Sequence, residues 1–357
     1  MTFLIAAAGT GGHVFPGLAV GEALSTRGVS REDILYVGGG RLEAKVYPEA
    51  GFPFLGLELR GFQRSLTPRN LSLPRLVWRA RDQIGARIRE RGVRVALAMG
   101  GYVTVPTALA ARKTGIPLLI AEQNAGAGLA NRIASRWAVR SFTSFPDTDG
   151  LKDGEWVGNP VRLSLAGFDR DRLRPEAMAH YGFDPERPVL GVVGGSLGAG
   201  PINAAVGALV AAWQGGPIQV LHLTGEGNLT PATTSSGAVV WERKGFERRM
   251  ELFYAVSDLV VARAGGGVAE LTVTMTPSIL IPGEFGSSGH QASNAAFLEE
   301  VGAAVVLTQD RIDELPDRVA EILASRDRLT AMRIAAGKIA KPEAAMTIAD
   351  AMLELAR

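Results

Sequence analysis

The sequence predicts an α/β protein built from two parallel-sheet domains. Three observations predict it. The chain of 357 residues is too long for one ordinary core and suits two domains of ~150–200 residues. Apolar runs of strand length alternate with amphipathic helical stretches in both halves, the pattern of βαβ units. Each half also opens with an apolar strand that runs straight into a glycine-rich loop.

In the first half the apolar runs at 4–8, 34–37, 54–57, 95–98, 118–121 and 139–142 read as strands, with helical patterns over 17–27, 74–91 and 104–113. Turn residues cluster at Pro146-Asp147-Thr148-Asp149-Gly150 and, past a short strand, at Gly158-Asn159-Pro160. A composition shift follows, which places the hinge near residue 160. The second half repeats the pattern with strands at 189–193, 219–223, 259–262, 278–281 and 304–307. Helices are expected around 203–213, 248–256, 291–300 and 310–325, and the chain ends in further helical segments. No tandem repeat or low-complexity tract interrupts the series.

Apolar residues make up 46% of the chain, enough for two cores, and cysteine is absent. A disulfide framework and a thiolate metal site are therefore excluded, which fits a reducing compartment. No charged segment precedes an apolar one at the N-terminus, and no apolar stretch approaches the ~20 residues of a membrane span. A soluble, cytoplasmic protein is expected, with any membrane contact peripheral.

The net charge of +2 hides an asymmetry. Residues 1–160 hold 20 Lys and Arg against 13 Asp and Glu, a balance of +7, while the remainder stands at −5. A basic first half suggests an anionic partner there. Ten arginines fall between 60 and 94, at 60, 64, 69, 75, 79, 81, 87, 89, 91 and 94, opposed only by Asp82 and Glu90. Leu73, Leu76, Val77 and Trp78 lie close together at helical spacing beside Arg75 and Arg79. A basic helix with an apolar, Trp-bearing edge suits a membrane interface, with Arg75, Leu76, Trp78 and Arg79 as its contacts. The alternative is that Leu73, Leu76 and Val77 are core and the arginines a solvated face. A nucleic-acid module is not expected, since this stretch carries no recognised motif and a single tryptophan.

Three glycine-rich loops follow strands. The first, residues 9–13 (GTGGH), leads into a helix. Glycines let the backbone approach a ligand, and a helix N-terminus attracts negative charge. It is no P-loop, because no Gly-Lys-Ser/Thr follows. It is a poor dinucleotide fingerprint, because the third glycine is missing and no acidic residue closes the next strand. The others are residues 194–200 (GGSLGAG) and 263–270 (RAGGGVAE), which suit diphosphate or ribose binding at strand ends. Any one of them is equally an ordinary tight turn; three together point to a ligand held between two sheets.

These loops belong to a longer pattern. Residues 9–17 (GTGGHVFPG), 99–104 (MGGYVT), 122–124 (EQN), 158–162 (GNPVR), 194–199 (GGSLGA), 263–270, and His290-Gln291 with Asn294-Ala295 follow in register. In this the chain resembles, essentially end to end, the MurG family, the undecaprenyldiphospho-muramoylpentapeptide β-N-acetylglucosaminyltransferases of glycosyltransferase family 28. The resemblance implies the GT-B architecture, two Rossmann-like domains facing across a cleft. Residues 1–160, rejoined by a final helix over 343–357, would form the acceptor- and membrane-facing domain, and 161–342 the UDP-sugar domain. It implies inverting transfer of N-acetylglucosamine from UDP-GlcNAc to the 4-hydroxyl of the N-acetylmuramoyl unit of lipid I, giving lipid II for peptidoglycan. The implied partners are UDP-GlcNAc, lipid I and an anionic inner-leaflet surface, at the cytoplasmic face of the plasma membrane and without a cofactor.

The family's site residues carry over by motif. Thr10, Gly11 and Gly12 would line the donor site, with Asn124 on the sugar. Arg162 and Ser196 would hold the nucleotide and diphosphate. Gly265, Gly266 and Gly267 would contact diphosphate and sugar, Glu270 the ribose hydroxyls and Gln291 the sugar. Three departures stand out. The turn from Arg263 to Glu270 is one residue shorter than in the family. Ala121 replaces a histidine found in some members. Residues 245–247, where the family seats uracil on backbone groups, are diverged, with Glu247 the side chain nearest that role.

An inverting transfer needs a base near the acceptor hydroxyl and stabilisation of the departing diphosphate. His13, in the first glycine-rich loop, is the leading choice as base or acceptor-orienting group, against the alternative that its hydrogen bonds fix the loop. His180 and His222 read as structural. Glu122 is the reserve base, although an ionised carboxylate is a weak one. Tyr102, after two glycines, would turn its hydroxyl into the cleft, with ordinary packing as the alternative. Backbone amides and Arg162 can neutralise the leaving group, so no metal is expected, and Asp147-Thr148-Asp149 reads as solvated loop. The rival functions are another GT-B enzyme, such as a diacylglycerol glycosyltransferase or a UDP-GlcNAc 2-epimerase, and a protein that binds an anionic polymer.

Overall fold

The computed structural model describes residues 1–59, 73–151, 153–228, 232–283 and 289–357. The chain divides into two units, Met1–Leu163 with Pro342–Arg357, and Ser164–Lys341.

The first unit carries seven strands: β1 (Thr2–Ala6), β2 (Ile34–Gly38), β3 (Phe54–Gly56), β4 (Val93–Ala98), β5 (Leu118–Glu122), β6 (Arg140–Thr143) and β7 (Glu155–Trp156). They form one parallel sheet in the order β3-β2-β1-β4-β5-β6-β7. Every residue of β1, β2 and β5 is buried, as a parallel sheet covered on both faces requires. The order reverses beside β1, between β1 and β4. That is the switch point at whose carboxyl side open α/β sheets bind ligands.

Helix Gly11–Thr26 starts six residues earlier than the 17–27 pattern predicts and takes Gly11, Gly12 and His13 into its first turn. It buries Val14, Pro16, Ala19, Val20, Ala23 and Leu24, apolar nearly all round, as a helix sandwiched between two layers must be. One layer is the sheet. The other is the final helix Ala344–Ala356, whose Ile348 and Met352 share an apolar cluster with Ile5, Val20 and Leu24. Arg27 adds a two-pronged ion pair to Asp350, 2.7 Å at each prong. Two tyrosines set the height of the first helix. Tyr36 and Tyr47 stack at 3.9 Å, and the Tyr36 hydroxyl donates to the Gly17 carbonyl at 2.9 Å. A Cβ at Gly21 would lie 1.9 Å from that hydroxyl, so the helix can sit there only with glycine.

Helix Leu73–Arg91 turns Ala80, Ile84, Gly85 and Ile88 into the core, an i, i+4, i+8 face. Leu73, Leu76 and Val77 are half-buried, and Trp78 stands 52% exposed among arginines. Arg60, Arg64 and Arg69 lie outside the described residues.

The second unit carries β8 (Val189–Val193), β9 (Ile218–Leu223), β10 (Ala232–Ser236), β11 (Val239–Lys244), β12 (Leu259–Ala262), β13 (Ser278–Leu280) and β14 (Ala304–Val306). The order is β10-β11-β9-β8-β12-β13-β14, parallel except for the antiparallel β10 edge. The β10–β11 pair is the one addition to the strands expected from the sequence. Its outer strand, ATTSS, has no apolar run to signal it, because an edge strand has little to bury. Among the described residues no helix is long and apolar enough to cross a membrane.

Candidate functional site

In the first unit Thr10 is the extended residue that caps helix Gly11–Thr26, and its Oγ1 lies 3.3 Å from His13 Nδ1. Gly11 and Gly12 follow, at the end of a helix where amides lack intrahelical acceptors and partial positive charge collects. The His13 ring is half-buried and covers Gly100. A Cβ at Gly100 would come 2.7 Å from His13 Cδ2 and 2.8 Å from Nε2, and the residue holds φ +100°. Next to it, a Cβ at Gly101 would fall 2.5 Å from the Ala8 carbonyl oxygen. Both glycines after β4 are thus required by close approach to the β1 loop.

Tyr102 packs against a buried carboxylate. Its hydroxyl donates to Glu43 Oε1 at 2.7 Å, so it is engaged within the protein. Burial and the Glu43 carboxylate push its pKa well above the ordinary tyrosine value, which makes it a poor proton carrier. Glu43 opens the short helix Glu43–Glu49 and is completely buried. It was not legible as a site residue. It lies off the end of β2, and its one signal is an acid placed just after Gly38-Gly39-Gly40.

Glu122, the expected reserve base, is enclosed by donors of the protein itself. It is 2% exposed. Oε1 accepts from the Asn124 backbone at 3.1 Å and its Nδ2 at 3.0 Å; Oε2 accepts from the Gly128 amide at 3.0 Å and Asn131 Nδ2 at 2.7 Å. Four donors of the protein thus occupy both oxygens. These bonds tie the carboxylate to the loop after β5 and to the Asn124 side chain. Arg162 belongs to the first unit, with its guanidinium 5.0 Å from the Phe15 ring centroid, against the helix that begins at Gly11.

In the second unit the loop after β8 carries Ser196, half-buried, and leads into helix Gly200–Ala212. This loop leans on the segment after β9. A Cβ at Gly198 would lie 2.0 Å from the Thr224 carbonyl oxygen, and Asn228 Nδ2 donates to the Leu197 carbonyl at 2.8 Å. After β12, Gly265, Gly266 and Gly267 lead into helix Val268–Val273, where the Glu270 carboxylate accepts from the Tyr254 hydroxyl at 2.8 Å. Gln291 Oε1 accepts from the Gly283 amide at 2.8 Å, and Asn294 Nδ2 donates to the Ala264 carbonyl at 3.0 Å. Glu247 turns inward, accepting from the Arg249 amide at 2.9 Å and the Tyr181 hydroxyl at 3.0 Å, so it presents no free carboxylate to a base.

Within the first unit, then, Thr10, Gly11, Gly12 and His13 gather with the Gly100–Tyr102 loop at the ends of β1 and β4, and Asn124 follows β5. Within the second, Ser196 follows β8, Gly265 to Gly267 and Glu270 follow β12, and Gln291 follows β13. All stand at carboxyl ends of parallel strands. Asp147 and Asp149 are exposed, and among the described residues no three His, Cys, Asp or Glu side chains gather as metal ligands would.

The model of the glycosyltransferase family 28 N-terminal domain matches residues 3–143, and that of the family 28 C-terminal domain matches 189–349. The chain is 40% identical over 362 residues to the UDP-N-acetylglucosamine--N-acetylmuramyl-(pentapeptide) pyrophosphoryl-undecaprenol N-acetylglucosamine transferase of Halorhodospira halophila, covering 99% of this chain and 98% of that one. The enzyme of the same name from a Nocardioides species is 37% identical, over 99% and 98% of the two chains. Among solved structures, MurG of Acinetobacter baumannii superposes with a TM-score of 0.78 at 26% identity over 99% of both chains. The glycotransferase of kitacinnamycin, at TM-score 0.66 and 17% identity over 99% and 98% of the chains, shares the fold.

Proposed function

Because this chain belongs to glycosyltransferase family 28, we propose that it moves N-acetylglucosamine from UDP-GlcNAc to the muramoyl sugar of a pentapeptide pyrophosphoryl-undecaprenol acceptor. The observation that carries this is the end-to-end relationship to transferases of that name. The transfer is inverting and directed at the 4-hydroxyl, giving lipid II from lipid I for the cell wall.

Donor binding falls to the second unit. Ser196 and the Gly265, Gly266 and Gly267 amides hold the diphosphate, Glu270 accepts from the ribose hydroxyls, and Gln291 binds the sugar. Carboxylate acceptors suit ribose because a charged acceptor makes a hydrogen bond roughly twice as strong as a neutral one. The first unit is the acceptor- and membrane-facing one. His13 takes the proton of the acceptor hydroxyl as its oxygen attacks the anomeric carbon, and the bond to the diphosphate breaks with its electron pair leaving on UDP. The helix start at Thr10, Gly11 and Gly12, with Arg162 and Asn124, offsets the negative charge that develops. The exposed Trp78 with Arg75, Leu76 and Arg79 supports peripheral docking on an anionic leaflet at the cytoplasmic face of the plasma membrane.

The test is incubation with radiolabelled UDP-GlcNAc and a lipid I analogue. Label in the lipid product is expected. Label recovered only as an epimerised sugar nucleotide, or bound donor with no transfer, overturns the reading.

A further inference from the structure

Three glycine-rich turns of the first unit end on one carboxylate. Glu43 Oε1 accepts from the Tyr102 hydroxyl at 2.7 Å and the Gly39 amide at 3.0 Å, and Oε2 accepts from the Gly9 amide at 3.3 Å. The three donors come from the turns after β4, β2 and β1. Gly39 must be glycine for this to happen, since a Cβ there would lie 2.0 Å from the Tyr102 hydroxyl. Burial alone would raise the Glu43 pKa, but the hydrogen bonds from Tyr102, Gly39 and Gly9 hold it below the ordinary glutamate value, so the group is ionised at neutral pH.

Two of those turns define where His13 sits. Gly9 is the residue through which the chain leaves β1 toward Thr10 and the first helical turn, so its position sets the height of the imidazole. Gly100, two residues before Tyr102, is the floor the imidazole rests on. Wall and floor thus hang from opposite oxygens of the same buried carboxylate. A glutamate serves here because it offers acceptors on both oxygens and no donor. An amide cannot satisfy all three: its NH₂ faces either the Gly9 N–H or the Gly39 N–H, and that backbone amide loses its acceptor.

We propose that Glu43 is a positioning residue of the transfer, acting through His13 by holding the Gly9 and Gly100 turns at the spacing that seats the imidazole. The inference rests on His13 being the group that takes the acceptor proton. Small displacements of such a group are costly, with a ~1 Å misplacement worth as much as ~10²-fold in rate.

The experiment is a double-mutant cycle in the full-length protein, with kcat and KM for UDP-GlcNAc measured with a lipid I analogue. Glu43→Gln is expected to lower kcat about tenfold or more with donor KM within about twofold. Tyr102→Phe, which keeps the two amide bonds, is expected to lower kcat by less. On a His13→Ala background Glu43→Gln should then have little further effect, because residues acting as one unit are not additive. Equal loss from Glu43→Gln with and without His13 overturns the positioning role, as does a loss confined to donor KM. His13→Ala with undiminished kcat instead overturns the underlying base assignment, whatever Glu43 does. Should Glu43→Gln fail to fold, Tyr102→Phe and its pairing with His13→Ala complete the same cycle, with the same outcomes decisive.

Discussion

Tyr254, buried in the second unit, donates a 2.8 Å hydrogen bond to Oε2 of Glu270. The hydroxyl arrests the carboxylate without covering it, since Glu270 remains half-buried on the short helix beyond the third glycine-rich turn. A side chain held in place before its ligand arrives loses less entropy on binding. Glu270→Ala should therefore weaken UDP-GlcNAc binding by roughly 1.5–3 kcal/mol for each ribose hydrogen bond lost, and Tyr254→Phe by a smaller amount. Isothermal calorimetry measures both; donor affinity unchanged in Glu270→Ala would remove Glu270 from the ribose site.

His13→Ala is expected to lower turnover by ~10²–10⁴ while donor affinity changes little, the pattern of a group that acts in the transition state. The imidazole covers Gly100 rather than filling a core, so the variant should fold with an ordinary circular dichroism spectrum. Near-normal turnover in folded protein would show that His13 only braces its loop.

Gly198 holds φ +73° with no room for a Cβ beside the Thr224 carbonyl. Gly198→Ala should destabilise the protein by about 1–3 kcal/mol in urea unfolding and raise donor KM, because the turn carrying Ser196 must shift. Gly207, inside helix Gly200–Ala212 with nothing near its missing Cβ, is the control. Gly207→Ala should stabilise by up to ~1 kcal/mol. Equal effects at the two positions would mean the close approach at Thr224 is not what demands glycine.

Binding to anionic vesicles should be strong at low salt and fall as salt rises, since each basic side chain near the surface contributes about 1 kcal/mol. Trp78→Glu and Leu76→Glu should weaken it and leave donor affinity intact. The Arg81 guanidinium lies 4.1 Å from the Trp78 ring centroid, so the Trp78 change also disturbs a neighbouring cation. Cosedimentation of both variants at the wild-type level would place docking elsewhere.

His222 predicts a pH effect on stability. It is fully buried in β9, with Nε2 3.0 Å from Asn203 Oδ1, and burial, then the nearby Arg243 charge, lowers its pKa to about 4. The unfolded chain, with an ordinary histidine, takes up a proton first as pH falls. Stability linked to His222 is therefore complete above pH ~6.5, declines between ~6.5 and 4, and is level below that. Relative to His222→Gln, the wild type should lose on the order of 2 kcal/mol between pH 7 and pH 5. Parallel pH curves for the two proteins in urea titrations would contradict this.

The sequence by itself determined whatever is written in local pattern. The alternation of β1 with helix and β4 with helix, the glycine-rich turns at 9–13, 194–200 and 263–270, and the basic helix around Trp78 are local because backbone conformation and burial period are properties of neighbouring residues. The tertiary structure alone decided which polar side chains the protein engages with its own donors and acceptors. Glu43 meets Gly9 across 34 positions and Tyr102 across 59, so no window of sequence contains the cluster. Those contacts decided between the two placements open to Tyr102, whose hydroxyl meets Glu43. Glu122 shows the subtler case. Its donors are two to nine residues away, yet a carboxylate at a strand end can point either way. The choice is made by whether burial supplies enough donors to replace water, and that is settled only when β5 and the loop after it have packed.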